Sequence, residues 1–333
     1  MKTAQRVPRL ISVITLYGIL SLTFVVLLSL SMDSHFDYAI HERIHFGGSI
    51  FTASRVFSPT VVRLLTEIGL PEKTAALTYI AIASIALLFV FARLLMNWGG
   101  ISEEKSIQFA PLILLPMVWN YIILSSIHYL DDVSAVLFFT MGLLALSEKK
   151  LFRFHLVFIT AIINRETAVF LVPAMFLMQF GKRKTNLLLV HSLALIAAAF
   201  AVKLFLNNLV GTVSSVPASM YEAHFSDNMA ILKSMISGNT QELRMLMTFG
   251  GLWLLLPFIT RKIKSDVMLT TVLLPIFFTG MVFVGNLSDE ARIFNEMIPV
   301  VTVPCILFLE ARLKSGTLLL PRSLYSANHK GAD

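Results

Sequence analysis

INRETAVF, residues 163–170, places Arg165 beside Glu166 in the middle of an apolar sequence. The residues before it read LVFITAI and those after it read LVPAMFLM. A charged pair is costly inside hydrocarbon, and such pairs usually face a protein interior or a water-filled cavity. The way in which the two flanking apolar segments cross the membrane therefore decides both the fold and what this pair faces.

The composition is that of a polytopic membrane protein. Of the 333 residues, 56% are hydrophobic and only 14% are charged, whereas soluble domains contain about 25% charged residues. Several apolar runs reach the roughly 20 residues that span a bilayer as a helix, and none alternates as the strands of a β-barrel do. Because backbone groups in lipid must be hydrogen-bonded within their own segment, we predict an all-α fold, with residues 1–333 as a single transmembrane domain.

Hydropathy predicts about ten transmembrane helices, including a short hairpin. The segments are residues 10–31, 74–96, 107–127, 133–147, 152–163, 168–180, 186–206, 245–260, 267–285 and 294–311. The first segment is interpreted as a retained signal anchor, because no obvious small-residue cleavage site follows it.

Charge asymmetry predicts the orientation of these segments. Lys2, Arg6 and Arg9 place the N-terminus in the cytoplasm under the positive-inside rule. If successive segments cross the membrane in alternate directions, 18 of the 27 Lys and Arg residues lie on the cytoplasmic side and 14 of the 20 acidic residues lie on the outer side. Residues 313–333 then form a cytoplasmic tail. The loops thus explain the net charge of +7, and nucleic-acid binding is rejected.

The INRETAVF stretch is predicted to be the tip of a hairpin. KKLFR at 149–153 precedes the two apolar segments and KRK at 182–184 follows them, so both flanks are cytoplasmic. Residues 152–163 and 168–180 each form a helix of about 18–20 Å, shorter than the roughly 30 Å hydrocarbon core. Residues 164–167 therefore lie below the outer surface, against protein or a water-filled cavity.

One long tilted helix over 152–181, with the charged pair inside it, is the alternative to the hairpin. It would invert every later loop and place Arg261, Lys262 and Lys264 outside the cell. The positive-inside rule disfavours that arrangement.

Two large outer loops are predicted between the membrane segments. The loop at 32–73 contains RVFSPTVVRLLTEIGL, in which the spacing of the apolar residues indicates a helix lying on the membrane surface. The loop at 207–244 contains a second amphipathic helix. Both loops are on the side that the hairpin tip approaches.

Unusual polar residues collect on this outer side. They are Asp33, His35, Asp37, His41, Glu42, Arg43, His45 and Arg55 in the first loop, then His128, Tyr129, Asp131 and Asp132, Arg165 and Glu166, Lys203, and finally Asp289, Glu290, Arg292, Asn295 and Glu296. A carboxylate can act as a general base on an acceptor hydroxyl. Arginine and lysine side chains can hold a phosphate, arginine in a bidentate manner.

Each of these residues also has a structural interpretation. The carboxylates of the first loop could be merely solvated, Asp131 and Asp132 could cap a helix, and Lys203 could reach the interface with its charged end. Arg165 and Glu166 could form an ion pair that fixes the hairpin. The histidines at 35, 41 and 45 could bind a metal, but their spacing alone is poor support, so no metal site is predicted; a divalent cation stays open and no cofactor is indicated.

Four motifs carry a resemblance to a known group. They are RVFSP at 55–59, YLDDVSAVLFF at 129–139, NRETAVFLVP at 164–173 and DEARIFNEMIP at 289–299. Together they resemble the pattern R-x-L-x-P, N-R-E-T-A and E-x-R of a group of bacterial multi-pass membrane proteins. That group is similar in layout to GT-C-type glycosyltransferases, which use polyprenyl-phosphate sugars and keep catalytic acids in outer loops. Phe57 stands where the pattern has leucine.

The resemblance implies a site and an activity. It points to Arg55, Asp131 or Asp132, Arg165, Glu166, Glu290 and Arg292. We therefore expect a glycosyltransferase-like enzyme of the bacterial inner membrane, with an active site facing the periplasm and cytoplasmic termini. It would move a sugar from a polyprenyl-phosphate donor to a cell-envelope glycan or lipid, and its partners would be that donor, the acceptor and membrane lipids.

Roles follow from the chemistry of the side chains. One of Asp37, Asp131 and Asp132 would be the base, and Glu166 and Glu290 would orient the arginines. The expected substrate-binding residues are Arg55, Arg165, Arg292, Lys203, His128 and Asn164. A surface-polysaccharide polymerase or ligase would use the same cations, whereas a transporter or flippase of lipid-linked substrates would need charges along the whole pathway.

Overall fold

The computed structural model describes residues 6–32, 34–46, 53–124, 129–210, 218–238, 242–259, 265–284 and 291–315. Within these ranges the regular elements are all helical, as predicted. They are α1 (Arg6–Ser31), α2 (Ser34–Ile44), α3 (Phe57–Glu67), α4 (Glu72–Gly99), α5 (Glu103–Ile123), α6 (Asp131–Ser147), α7 (Leu151–Asn164), α8 (Leu171–Gln179), α9 (Thr185–Val210), α10 (Ala218–Ile236), α11 (Leu256–Ile259), α12 (Ser265–Thr271), α13 (Leu273–Val284) and α14 (Ile298–Lys314). Two 3₁₀ segments, Glu166–Phe170 and Ala291–Met297, lie between them, and the region Glu242–Leu255 consists of short helical turns interrupted by the non-helical residues Thr248, Phe249, Gly250 and Gly251.

Six stretches are long and apolar enough to cross a membrane. They are Leu10–Ser31, Glu72–Gly99, Glu103–Ile123, Thr185–Val210, Ser265–Phe283 and Arg292–Lys314. The other four predicted segments correspond to the shorter helices α6, α7 and α8 and to the region that ends with α11. Helix length therefore supports a membrane protein without confirming the predicted count of ten.

The helices form a bundle with a buried centre and an apolar outer wall. In the most apolar part of Arg292–Lys314, 78% of the residues are buried, against 22% for the corresponding part of α1 and 17% for that of α9. Leu30 and Phe200, on these two outer helices, are 78% and 66% exposed. Extensive exposed apolar surface of this kind is typical of contact with membrane lipid.

The chain breaks at Arg165 and turns back. Arg165 is extended (φ −160°, ψ 135°) between α7 and the 3₁₀ segment that leads into α8. Gln179, at the end of α8, lines the same small cavity as Ser147, which ends α6 shortly before α7 begins. The chain therefore returns to the end of the bundle from which α7 started, and the single long helix is excluded.

Two glycines allow the hairpin tip to pack closely. A Cβ atom on Gly142 of α6 would lie 2.6 Å from the Leu171 side chain, and one on Gly280 of α13 would lie 2.6 Å from the ring of Phe170. Both distances are shorter than van der Waals contact allows. The segment that follows the tip thus packs closely on α6 and α13, where a larger side chain would displace Leu171 and Phe170.

Charged side chains occupy the two ends of the bundle. At the end where α6 finishes, Glu148 binds Arg93, Lys150 and Arg153, while Lys182 pairs with Asp266. The other end is formed by the start of α6, the end of α7 and the start of α14. Between these two layers, α4, α6, α7, α8 and α14 carry no Asp, Glu, Lys or Arg. The charges of these helices therefore lie in two layers at opposite ends of the bundle.

The two predicted loop helices are both packed on other helices. α3 buries Ser58, Pro59 and Val62 and exposes Leu64. α10 lies along α13: Asn228 Nδ2 donates to the Val282 carbonyl at 2.8 Å, and the rings of residues 225 and 283 stack. The expected helix in 207–244 is therefore a layer on the bundle. Arg261, Lys262, Lys264 and the tail from residue 316 onward lie outside the described residues.

The hairpin predicts the sidedness of cysteine labelling. In a Cys305→Ser background, Lys150→Cys and Lys184→Cys are expected to react from the same side of the membrane, because α7 and α8 leave and return at one end. Glu67→Cys, at the other end of the bundle, should react from the opposite side. The measurement is labelling by a membrane-impermeant maleimide in intact cells and in inverted vesicles. Reaction of Lys150→Cys and Lys184→Cys from opposite sides would contradict the hairpin.

Candidate functional site

A dense group of buried charges lies at the end of the bundle that contains the hairpin tip. We call it the arginine–carboxylate network. Its members are the cations Arg43, Arg55, Arg165, Lys203 and Arg292 and the carboxylates Asp131, Asp132, Glu166 and Glu296.

These side chains meet because they lie at or near helix ends on the same side of the bundle. The two aspartates form the first turn of α6, where the positive end of the helix dipole favours carboxylates. Arg165 lies at the break in the chain directly after α7, and Glu166 is the first residue of the 3₁₀ segment that follows. Glu296 lies four residues after Arg292 in the 3₁₀ segment before α14. The predicted capping role of the aspartates is not seen, because neither side chain caps α6.

Asp131 lies between two arginines. Arg43 Nη1 lies 3.4 Å from Asp131 Oδ1, and Arg55 Nη1 lies 3.1 Å from Asp131 Oδ2. Only 1% of the Asp131 side chain is exposed. Because a buried carboxylate is stable only when it is paired, Asp131 fixes α2 and the Arg55 loop against α6.

Asp132 lies between two other arginines. Arg165 Nη1 is 2.7 Å from Asp132 Oδ1, and Arg292 Nη1 is 3.6 Å from the same oxygen. The backbone N–H of Tyr129 donates to Asp132 Oδ2 at 3.1 Å. Asp132 thereby joins the hairpin tip to the 3₁₀ segment before α14.

Glu296 completes this closed side of the network. Arg165 Nε is 3.4 Å from Glu296 Oε1, and the hydroxyl of Thr167 donates to the same oxygen. The side chains of Arg165 and Glu296 are 3% and 1% exposed. This half of the network is thus sealed from solvent.

Glu166 forms the open side. Arg55 binds both oxygens of Glu166, with Nε 3.2 Å from Oε2, and Lys203 Nζ is 3.3 Å from the same oxygen. The side chains of Glu166, Lys203 and Arg55 are 37%, 18% and 11% exposed. A ligand that approaches the network therefore meets these three residues first.

An aromatic ring bridges two of the arginines. The guanidinium carbons of Arg43 and Arg292 lie 4.2 and 3.9 Å from the centre of the Tyr129 ring. Cation–π contacts of this length stabilise a guanidinium where water is excluded. Tyr129 thus holds the two arginines near each other despite their like charges.

A layer of neutral polar groups supports Asp131 from behind. Asn164 Nδ2 donates to the Asp131 carbonyl at 3.1 Å, and Asn164 Oδ1 accepts from Ser58 at 2.6 Å and from Ser134 at 3.0 Å. The Ser58 and Tyr79 hydroxyls are 2.7 Å apart. Asn164 was predicted to bind substrate, but its amide is buried in these contacts, and its observed position favours a supporting role.

The electrostatics of the network favour an anionic ligand. Among the residues that the structure describes, five cations meet four carboxylates, which leaves one positive charge. Burial lowers the pKa of Arg55, but Glu166 and Asp131 more than offset this, so its pKa lies above the ordinary arginine value. Burial also lowers the pKa of Arg43, and Asp131 opposes that effect only in part. An anion would balance the remaining charge.

Most of the predicted site residues meet in this network. Arg55, Asp131, Asp132, Arg165, Glu166, Lys203 and Arg292 belong to it, and Asn164 lies behind it. Asp37 is elsewhere: it pairs with Lys73 at 3.1 Å, with both side chains about half exposed. His128 and Glu290 lie outside the described residues, as do Asp33 and Asp289.

Two members of the network were not assigned a role from the sequence. Arg43 stands among other charged residues in HERIH, and nothing local indicates that it reaches Asp131, 88 residues away. Glu296 belongs to the DEARIFNEMIP motif, but nothing local in the sequence indicates that its partner is Arg165, 131 residues earlier.

An apolar cavity adjoins the network. It has a volume of about 580 Å³, and its lining includes Phe249, Trp253, Phe278 and Phe294. Phe294 belongs to the same 3₁₀ segment as Arg292. The backbone N–H of Phe249 donates to Asn120 Oδ1 at 2.7 Å, and Asn120 Nδ2 donates to Asn295 Oδ1 at 2.9 Å. One segment therefore forms part of both the cavity wall and the network.

Comparisons of the chain with known protein families, with curated proteins and with solved structures give no match.

Removal of one buried charge should destabilise the fold. We expect Asp132→Asn to lower the stability by about 3–5 kcal/mol, because it leaves Arg165 and Arg292 buried beside a neutral group. The control is Asp266→Asn, which breaks a partly exposed pair with Lys182 and should cost about 0–1 kcal/mol. Thermal unfolding of both variants in detergent measures the difference. Equal midpoints for the two variants would show that the network is not a stabilising element.

Proposed function

We propose that this chain is a GT-C-like membrane glycosyltransferase that moves a sugar from a polyprenyl-phosphate donor to a cell-envelope glycan or lipid. The observation that carries the proposal is the position of the arginine–carboxylate network at one end of an apolar bundle and beside an apolar cavity. A polyprenyl phosphate has the same two parts, an anion and a long hydrocarbon chain.

Arg55 and Lys203 would contact the donor phosphate. They are the most exposed cations of the network, at 11% and 18%, whereas Arg165 is 3% exposed and enclosed by two carboxylates. A planar guanidinium and an ammonium together suit a phosphate group. Arg165 and Arg292 would instead hold Asp132 and Glu296, which differs from the role that the sequence suggested for them.

Glu166 would be the carboxylate that acts on the acceptor. It is 37% exposed, whereas Asp131 and Asp132 are each 1% exposed and enclosed by arginines. A phosphate that binds Arg55 and Lys203 would compete with Glu166 for both cations. Release from these cations would make Glu166 a better general base at the moment when the donor is in place.

The hydrocarbon chain of the donor would occupy the apolar cavity. A volume of about 580 Å³ falls within the roughly 300–1,000 Å³ of typical ligand sites. Phe294 lines the cavity two residues from Arg292, so the cavity wall is continuous with the network through this segment.

The orientation belongs to the same proposal. The chain would lie in the inner (plasma) membrane of a bacterium, with about ten membrane segments, both termini in the cytoplasm and the network open to the periplasm. The positive-inside distribution supports this orientation. The hairpin tip would then place Glu166 at the open side of the network, below the outer surface, with Arg165 enclosed behind it.

A transporter or flippase is the second candidate. It needs polar groups along a path through the whole membrane, and α4, α6, α7, α8 and α14 carry no Asp, Glu, Lys or Arg between the two charged ends. This favours an enzyme with a site at one face. A polysaccharide polymerase or ligase would use the same cations on a lipid pyrophosphate.

Lys203→Met should weaken binding of polyprenyl phosphate. A hydrogen bond to a charged group contributes about 1.5–3 kcal/mol, so we expect the dissociation constant to rise about 10- to 100-fold. Binding can be followed by tryptophan fluorescence in nanodiscs, because Trp253 lines the cavity. Lys182→Met, at the opposite end of the bundle, is the matched control and should bind like the wild type. Equal affinity of Lys203→Met and wild type would remove Lys203 from the site.

Glu166→Gln should separate binding from chemistry. We expect the variant to bind polyprenyl phosphate at least as well as the wild type, because Arg55 and Lys203 are no longer neutralised. Sugar transfer should fall by about 10²- to 10⁴-fold, the range for loss of a general base. The readout is release of polyprenyl phosphate from a polyprenyl-phosphate sugar. Unchanged release by the variant would refute the role of Glu166. If the wild-type protein moved the lipid-linked sugar across a liposome membrane but released no polyprenyl phosphate, the protein would be a flippase and not an enzyme.

A further inference from the structure

A second group of polar side chains lies outside the network, where the end of α2 meets the start of α4. His41 Nδ1 is 3.2 Å from both carboxylate oxygens of Glu72, and His45 Nε2 is 3.9 Å from Oε1. One ligand atom from each of the three residues lies within 4.8 Å of the other two. Two imidazoles therefore converge on one carboxylate.

The local structure explains this convergence. His41 and His45 are four residues apart, and the His45 N–H donates to the His41 carbonyl at 3.3 Å, so the two side chains share one helical face. Their ring centres are 4.6 Å apart. Glu72 is the first residue of α4 and faces them from the neighbouring helix.

The spacing fits a small metal ion. A tetrahedral ion with bonds of about 2.0–2.2 Å separates its ligand atoms by roughly 3.3–3.6 Å. The two imidazole–carboxylate separations, 3.2 and 3.9 Å, bracket that range, and the ligand nitrogens of the two imidazoles lie within 4.8 Å of each other, so side-chain rotations would complete the geometry. Two histidines and one carboxylate are a ligand set that zinc accepts, with a fourth position for water.

The surroundings leave Glu72 available to the histidines. Lys73, the next residue, pairs with Asp37 at 3.1 Å, and the Tyr38 hydroxyl donates to Glu42 at 2.7 Å. Lys73 thus balances the charge of Asp37, Glu42 accepts from a neutral hydroxyl, and neither contact involves Glu72. The side chains of His41, His45 and Glu72 are 62%, 56% and 39% exposed, so an ion can enter from solvent.

We propose that His41, His45 and Glu72 bind a divalent metal ion of the zinc class. A simple surface contact between histidine and glutamate needs only one imidazole, whereas here a second imidazole from the next helical turn approaches the same carboxylate. The ion clamps α2 onto α4. Arg43 lies between the two histidines in the sequence but points inward to Asp131, so the clamp also holds Arg43 in the network.

The test uses the full-length protein in detergent, with an affinity tag that contains no histidine. After treatment with a chelator, the protein is titrated with Co²⁺, whose visible absorption reports tetrahedral coordination, and then with Zn²⁺ in competition. We expect one equivalent to bind to the wild type with a dissociation constant at or below the micromolar range, and the thermal unfolding midpoint to rise when Zn²⁺ is added.

Two variants and one control give the comparison. His41→Ala should lose at least 100-fold in affinity, and Glu72→Gln, which keeps its shape, should lose about 10-fold or more. His155→Ala is the matched control, because His155 and His191 form another pair of neighbouring rings, 6.0 Å apart, on α7 and α9. Absence of a tetrahedral cobalt spectrum in the wild type, or equal affinity of wild type and His41→Ala, would overturn the proposal.

Discussion

The ion pair between Arg165 and Asp132 is the contact on which the rest of the structure depends. Its atoms are 2.7 Å apart and fully enclosed. A guanidinium buried without its partner would cost several kcal/mol, so the hairpin tip and the start of α6 have to arrive together. Arg292 and Glu296 extend the same requirement to the largely buried stretch Arg292–Lys314, which contains α14. The break in the chain at Arg165 is therefore a consequence of where its charge must go.

The network has a closed half and an open half with different physical roles. In the closed half, each carboxylate is buried away from solvent and contacts more than one partner. The charged groups of this half are therefore fixed in position and have little capacity to rearrange. In the open half, Glu166 shares two cations with any anion that arrives from solvent. Such a division provides a rigid frame around a small exchangeable part, which is what a site needs in order to bind an anion without losing its shape.

Local sequence signals predicted the parts of the fold that depend on local physics. Cationic flanks and the short length of the two apolar segments indicated the hairpin around Asn164–Thr167, and the two aspartates were expected at a helix start, where they lie. Arg43 and Asp131 are 88 positions apart, and no local feature of the sequence indicates that they pair. Helix count was harder to predict, because α6, α7 and α8 are apolar but shorter than a typical membrane span.

Arg55 couples the two halves, because it binds both Asp131 and Glu166. Its hold on Glu166 depends on how well Asp131 is neutralised by its other partner, Arg43. If α2 moved away, Asp131 would keep only Arg55, and the guanidinium would be drawn toward the buried carboxylate, where Coulomb attraction is less screened. Glu166 would then rely on Lys203 alone. The position of α2 on the surface thus controls the charge that the open half presents to a ligand.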